Sequence, residues 1–120
     1  IINLQNLRVG DYNMLILPGG VKSMELLRLD DKAIDVVKKF YENNKLIAAI
    51  CSGTMMLISA KITKNKKISG YYAWKDDIEN SGAIFIDEPA VVDQNIVTSP
   101  HYKYVGPWMK LALKTLKDLK

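Results

Sequence analysis

Two apolar runs, each cut off by a glycine-containing turn, constrain the fold of this chain more than any other feature. The first is MLIL, Met14 to Leu17, stopped by Pro18, Gly19 and Gly20; the second is LIAAI, Leu46 to Ile50, followed at once by Cys51, Ser52 and Gly53. Runs that are apolar at every position fit strands buried on both faces, as in a parallel sheet. Between them Ala33, Ile34, Val36, Val37, Phe40 and Tyr41 recur at helical spacing after an Asp30 or Asp31 cap, and ENNK ends the helix. Thr54 to Ala60 then reads as a helix packed with Met55, Met56, Leu57 and Ile58. This β-α-β-α order predicts an α/β fold with helices on the faces of a mostly parallel sheet.

The second half has a shorter rhythm. KKIS reads as a brief strand, AWKDDIENSG as a short helix closed by Gly82, and AIFI as a strand. AVVDQNIVTS predicts an antiparallel hairpin on the sheet edge, turning at Asp93, Gln94 and Asn95. Past the loop PHYKYVG, Pro107 fits the first turn of a last helix, with Trp108, Ala112, Leu116 and Leu119 opposite Lys110, Lys114 and Lys117. No repeat or linker divides the chain, so its 120 residues are read as one domain.

Composition narrows the function classes. With 48% hydrophobic and 25% charged residues the chain matches an ordinary globular protein. Its net charge of +4 comes largely from KITKNKK and the last helix, solvated faces without interleaved stacking aromatics, so no nucleic-acid partner is expected. No apolar run reaches the ~20 residues that span a bilayer, and the opening IINLQNLRVGDY lacks the order of a signal peptide. The expectation is a soluble, cytoplasmic protein with no membrane partner. One Cys and one His supply neither a disulfide nor a closed zinc site, so no metal and no organic cofactor is expected. Residue 1 is Ile, which points to part of a longer translation product.

The candidate chemistry centres on Cys51. It stands at the C-terminal end of a strand, where open α/β sheets place their ligand sites. Ala49 before it and Gly53 after it are small, as a nucleophile elbow requires. The thiol would also open the Gly53 to Ala60 helix, whose free N–H groups and dipole favour thiolate. A free cysteine in an apolar segment is otherwise inert packing; strand end, elbow and helix start together favour a reactive thiol.

These residues resemble the ThiJ/PfpI superfamily, which includes the PfpI-type intracellular proteases and the Parkinson-disease-associated protein deglycase. The stretches YNMLILPGG, LIAAICSGTMMLISA, KKISGYYAWKDDIENSGA and VVDQNIVTS carry the likeness over nearly the whole chain. It implies a flavodoxin-like three-layer sandwich of the class I glutamine amidotransferase-like type, here without its N-terminal strands. It further implies Cys51 as nucleophile, the backbone N–H groups of Gly20 and Ser52 as oxyanion hole, and Glu25 as a carboxylate sent to a neighbouring subunit's site. Glu25 has a plainer reading as a solvated carboxylate near a helix start. Family members are oligomers, and their first strand ends in a glutamate that bonds the thiol. The missing part is expected elsewhere in the gene product or as an N-terminal fragment in a second chain.

Two departures stand out. PfpI-type enzymes carry His directly after the cysteine, where this chain has Ser52; the deglycase keeps a His where this chain has Tyr71. His101, in TSPHYKY, is the remaining candidate base, since Cys and base are neighbours in space rather than in sequence. Three functions stay open: a cysteine-nucleophile hydrolase or glyoxalase/deglycase-like enzyme acting on a small-molecule or peptide substrate; a stress-response protein sensing oxidants through Cys51; and an inactive assembly module.

Overall fold

A computed structural model describes residues 4–119. The first apolar run forms β1 (Met14–Leu17) and the second β2 (Leu46–Ile50), side by side and parallel, with Leu17 opposite Ala49. Two helices rather than one link them: α1 (Val21–Arg28) and α2 (Asp31–Glu42). Helix α1 escapes the periodicity because it lies near the surface and buries Met24 alone, leaving a sparse apolar stripe. Helix α2 is capped by Asp30, whose side chain accepts the Lys32 N–H at 2.9 Å, and buries Ala33, Val37 and Phe40.

After β2 comes one 3-10 turn, Cys51–Gly53, running directly into α3 (Thr54–Ser59). Two short parallel strands, β3 (Lys67–Ile68) and β4 (Ile84–Phe85), flank α4 (Lys75–Asn80), which a 3-10 turn over Tyr72–Trp74 introduces. The hairpin is β5 (Val91–Asp93) and β6 (Ile96–Ser99), antiparallel, with Gln94 at φ +55° in its turn. The closing helix is α5 (Val105–Asp118).

The main sheet runs β1-β2-β6-β5, parallel except for the edge strand β5. Every residue of β2 is buried, as a strand covered on both faces must be. Its alternation splits the core. Ile47 and Ala49 join α1, α2 and α3 on one face; Leu46, Ala48 and Ile50 join Trp108 and Ala112 of α5 on the other. The Trp108 indole N–H donates to the Val97 carbonyl at 3.3 Å, so the last helix is pinned as well as packed. Side chains tie the smaller sheet to the larger: Thr98 Oγ1 accepts the Ser69 N–H and Asp93 Oδ2 the Lys67 N–H, both at 2.8 Å. Helix, sheet and helix make the three layers of a flavodoxin-like α/β sandwich. None of the described helices is long and apolar enough to cross a membrane.

Candidate active site

The site is built from the way the chain leaves β2. Ile50 is still extended, at φ −133° and ψ 145°, and the next residue, Cys51, swings to φ +57°, a left-handed conformation that a side-chain-bearing residue seldom adopts. Packing sets the sharpness of this exit. The Leu17 carbonyl of β1 passes so close to Gly53 that any Cβ there would run into it. The Cys51 carbonyl accepts both the Thr54 hydroxyl at 3.1 Å and the Tyr71 N–H at 3.2 Å. Ala49 lies buried one residue pair below, level with Leu17. The sulfur is therefore carried on a backbone fixed from several sides.

The sulfur itself is half-buried and packs against the α5-side core. Ser52 Oγ is 3.9 Å from it and accepts the Trp74 indole N–H at 3.1 Å. The facing turn after β1 closes onto the elbow. Gly19 and Gly20 both have φ +96°, and a Cβ on Gly19 would stand 2.9 Å from the Ile50 carbonyl and 3.2 Å from the Gly53 nitrogen. Gly20 caps the start of α1, where a Cβ would meet only Ser23 at ordinary contact distance, and its positive φ suits a residue without a side chain.

A row of rings borders the elbow. The Tyr102 hydroxyl donates to the Pro18 carbonyl at 2.8 Å, strapping the loop after β6 onto the glycine turn. Burial, and then the charge of Cys51, push the Tyr102 phenol above its ordinary 10.0, so it stays a neutral donor. His101 lies between Tyr71 and Tyr102, its ring 6.4 and 6.3 Å from theirs. Its Nδ1 accepts the Lys103 N–H at 3.1 Å, capping a 3-10 turn. In the neutral ring the proton then sits on Nε2, so the free nitrogen is a donor.

Glu25 lies midway along α1, exposed, and lines a pocket of about 140 Å³ with Arg28, Met55, Ser52 and Trp74. The structure thus sets Cys51, Ser52 and Gly53 in one turn with Gly19 against it and Gly20 next along the chain, brings the His101 loop to its edge through Tyr71 and Tyr102, and places Glu25 in a pocket that Ser52 also lines. Trp74 and Tyr102 escape the sequence reading. Trp74 passes for a residue of the following helix, and the signal for Tyr102 is its place beside the only histidine. Among the described residues no cluster of His, Cys, Asp or Glu is arranged to hold a metal ion.

The model of the DJ-1/PfpI family matches residues 2–116. The chain belongs to the DJ-1/PfpI family. Within it, the chain is 39% identical to a deglycase of Thermococcus kodakarensis and 38% identical to deglycase PfpI of Pyrococcus furiosus, each over 107 residues that cover 89% of this chain and 64% of the relative. It therefore spans somewhat under two thirds of the length of these relatives. Among solved structures, a two-domain protein of Anabaena variabilis with DJ-1/ThiJ/PfpI-like and ferritin-like domains superposes with a TM-score of 0.91 at 27% identity, covering 95% of this chain and 32% of that one. The family and its fold agree with the resemblance drawn from the sequence.

Proposed function

We propose that this chain carries the nucleophile of a cysteine-dependent hydrolase or deglycase-like enzyme of the DJ-1/PfpI family, acting on an amide, ester or aldehyde-derived adduct. The observation that carries this reading is the left-handed Cys51 at the C-terminal end of a buried parallel strand. Its sulfur attacks the electrophilic carbon, the bond from that carbon to the amine, alcohol or thiol breaks as the leaving group takes up a proton, and water then cleaves the new C–S bond and restores the thiol. The backbone N–H groups of Gly20 and Ser52 serve as the oxyanion hole, fixed donors that need no reorganisation. The deglycases to which the chain is similar support the adduct chemistry.

His101 is the proton-transfer group of this proposal, and Glu25 supplies a carboxylate to the Ser52 pocket or to a neighbouring copy of the chain. The working unit is larger than this chain. A homo-oligomer is the expected assembly, with the remaining third of the relatives' length supplied by the rest of a longer protein or by a second chain. The edge strand β1, with Ile16 43% exposed, offers room for it. A reducing cytoplasm suits the single free cysteine.

A second reading is favoured by the Nδ1 cap on His101, which leaves a donor where a base is wanted. In that reading the Cys51 thiolate is oxidised by peroxide to a sulfenic acid, water or hydroxide leaving, and no base is required.

Alkylation of Cys51 by iodoacetamide against pH tests both. We expect reaction to set in well below pH ~8.5, the value of an unperturbed thiol; onset only at or above it removes both readings and leaves the assembly module. With an active preparation, His101→Ala should slow turnover at least ~100-fold, the scale of a general base or acid. Unchanged turnover removes His101 from the site; a wild-type protein without turnover that keeps peroxide sensitivity at Cys51 is the oxidant sensor.

A further inference from the structure

We infer that Trp74 and Ser52 form a hydrogen-bond relay that orients the Cys51 sulfur and stabilises its thiolate. This rests on the reading of Cys51 as the reactive thiol. Ser52 is only 2% exposed, so its hydroxyl has little access to water. The indole N–H can only donate, so the 3.1 Å contact fixes Ser52 Oγ as its acceptor. The hydroxyl proton then needs an acceptor of its own, because buried polar hydrogens are costly to leave unpaired. The acceptor within reach is Cys51 Sγ, 3.9 Å away.

The relay accommodates both states of the sulfur. With the thiol neutral, the hydroxyl donates weakly to a sulfur lone pair, and the S–H points away from Ser52. When the thiol proton leaves to water or base, the same hydroxyl donates to the sulfur anion, a charge-assisted bond that draws the two atoms together. Ser52 keeps its own proton throughout. Trp74 makes the hydroxyl a stronger donor by drawing on its oxygen.

The geometry around Trp74 supports a placed donor rather than a chance contact. The segment that carries it grips the elbow at two points, Tyr71 N–H on the Cys51 carbonyl and Trp74 Nε1 on Ser52 Oγ. Its ring also packs against the core on the α3 side. The titratable and charged groups around the sulfur and the relay are Tyr102 and His101 from the loop after β6, Tyr71 from the segment before α4, and Glu25 and Arg28 from α1. The variants below alter none of them.

Cys51 is the only cysteine of these 120 residues, so alkylation by iodoacetamide, followed on the peptide that contains it, reports on it alone. We expect Ser52→Ala to move the midpoint of the rate-against-pH profile upward by about one pH unit, roughly tenfold slower reaction below the midpoint, with the limiting rate at high pH undiminished. Trp74→Phe should move it the same way by a smaller step, roughly threefold, and Ser52→Thr should restore the wild-type midpoint. A merely structural role would scale the rate at every pH without moving the midpoint. Superimposable midpoints for wild type and Ser52→Ala overturn the relay. Circular dichroism checks each fold; should Ser52→Ala not fold, an unmoved midpoint in Trp74→Phe overturns it instead. A wild-type midpoint at that of an ordinary thiol would refute the reactive-thiol reading, yet the difference between variants would still decide the relay.

Discussion

Three parallel strands, β1, β2 and β6, finish at the same end of the sheet, and the exits after β1 and after β2 share a steric demand but differ in the residues that meet it. After β1 the left-handed backbone falls on Gly19 and Gly20, which have no Cβ to oppose it. After β2 it falls on Cys51, for which the same region costs roughly 1–2 kcal/mol. The other described residues with a side chain and positive φ, Asn44, Lys61, Asn65 and Gln94, lie at helix ends and tight turns, where a left-handed residue is an ordinary terminator. Cys51 stands instead at the mouth of a fully buried strand. The glycine exit presents backbone, and the cysteine exit presents a side chain. On the proposed reading of Cys51, local strain coincides with the side chain that performs the chemistry, as it does at functional sites.

The two exits are not independent, and the largest expected effect comes from the point where they touch. Gly53 has helical dihedrals, φ −58° and ψ −25°, that alanine adopts without strain. On conformation alone Gly53→Ala would stabilise by about 0.4–1 kcal/mol. The Leu17 carbonyl occupies the place of the new methyl, and it is backbone of a sheet strand that cannot move aside alone. We therefore expect a loss of about 3 kcal/mol or more, toward the upper end of overpacking costs. Urea unfolding measures it; a variant as stable as wild type would show that the exits are separable.

How much of this was legible follows from the physics of each signal. Both strands and their boundaries stand in the sequence because MLIL and LIAAI are apolar at every position. Only β2 is buried throughout; β1 lies at the sheet edge, with Leu17 buried and Ile16 exposed. The hairpin shows as two short strands around Gln94 and Asn95. Helix α1 does not, because an exposed helix burying one methionine leaves no stripe to read. At the site, the small residues around Cys51 signal a sharp turn, since sterics act on near neighbours in sequence. The Trp74 bond to Ser52 and the Tyr102 bond to Pro18 join residues 22 and 84 positions apart. Each side chain could have pointed elsewhere, and only the folded arrangement decides.

Exchanging the residue types between the exits tests the comparison directly. Gly19→Ala places a Cβ in a left-handed position already crowded by the Ile50 carbonyl and the Tyr102 hydroxyl, at 2.9 and 3.1 Å, and should cost about 2–3 kcal/mol. Cys51→Gly should abolish alkylation while raising stability by up to about 1 kcal/mol, the relieved strain less the lost packing of a half-buried side chain. A destabilised Cys51→Gly, measured by the same urea midpoint, would mean that packing rather than chemistry holds the cysteine in place.

The smallest effect concerns the strap that holds the two exits together. Tyr102→Phe removes the hydroxyl that donates to the Pro18 carbonyl, and because this side chain is 49% exposed, water can take over the bond. A cost of about 0.5 kcal/mol near neutral pH follows. The pH dependence is more diagnostic. Burial and the Cys51 charge raise the phenol above 10.0 in the folded state, so that state holds the proton more tightly than the unfolded chain does. The associated stability is complete below about pH 10 and is lost as pH rises through the higher folded value. Wild-type protein should therefore lose more stability than Tyr102→Phe between pH 9 and 11, scales chosen to bracket the ~10 of a free phenol, and the gap should narrow when Cys51 is replaced by alanine. Melting temperatures that fall in parallel would show that the strap and the sulfur do not sense one another, and would place the two exits in separate electrostatic environments.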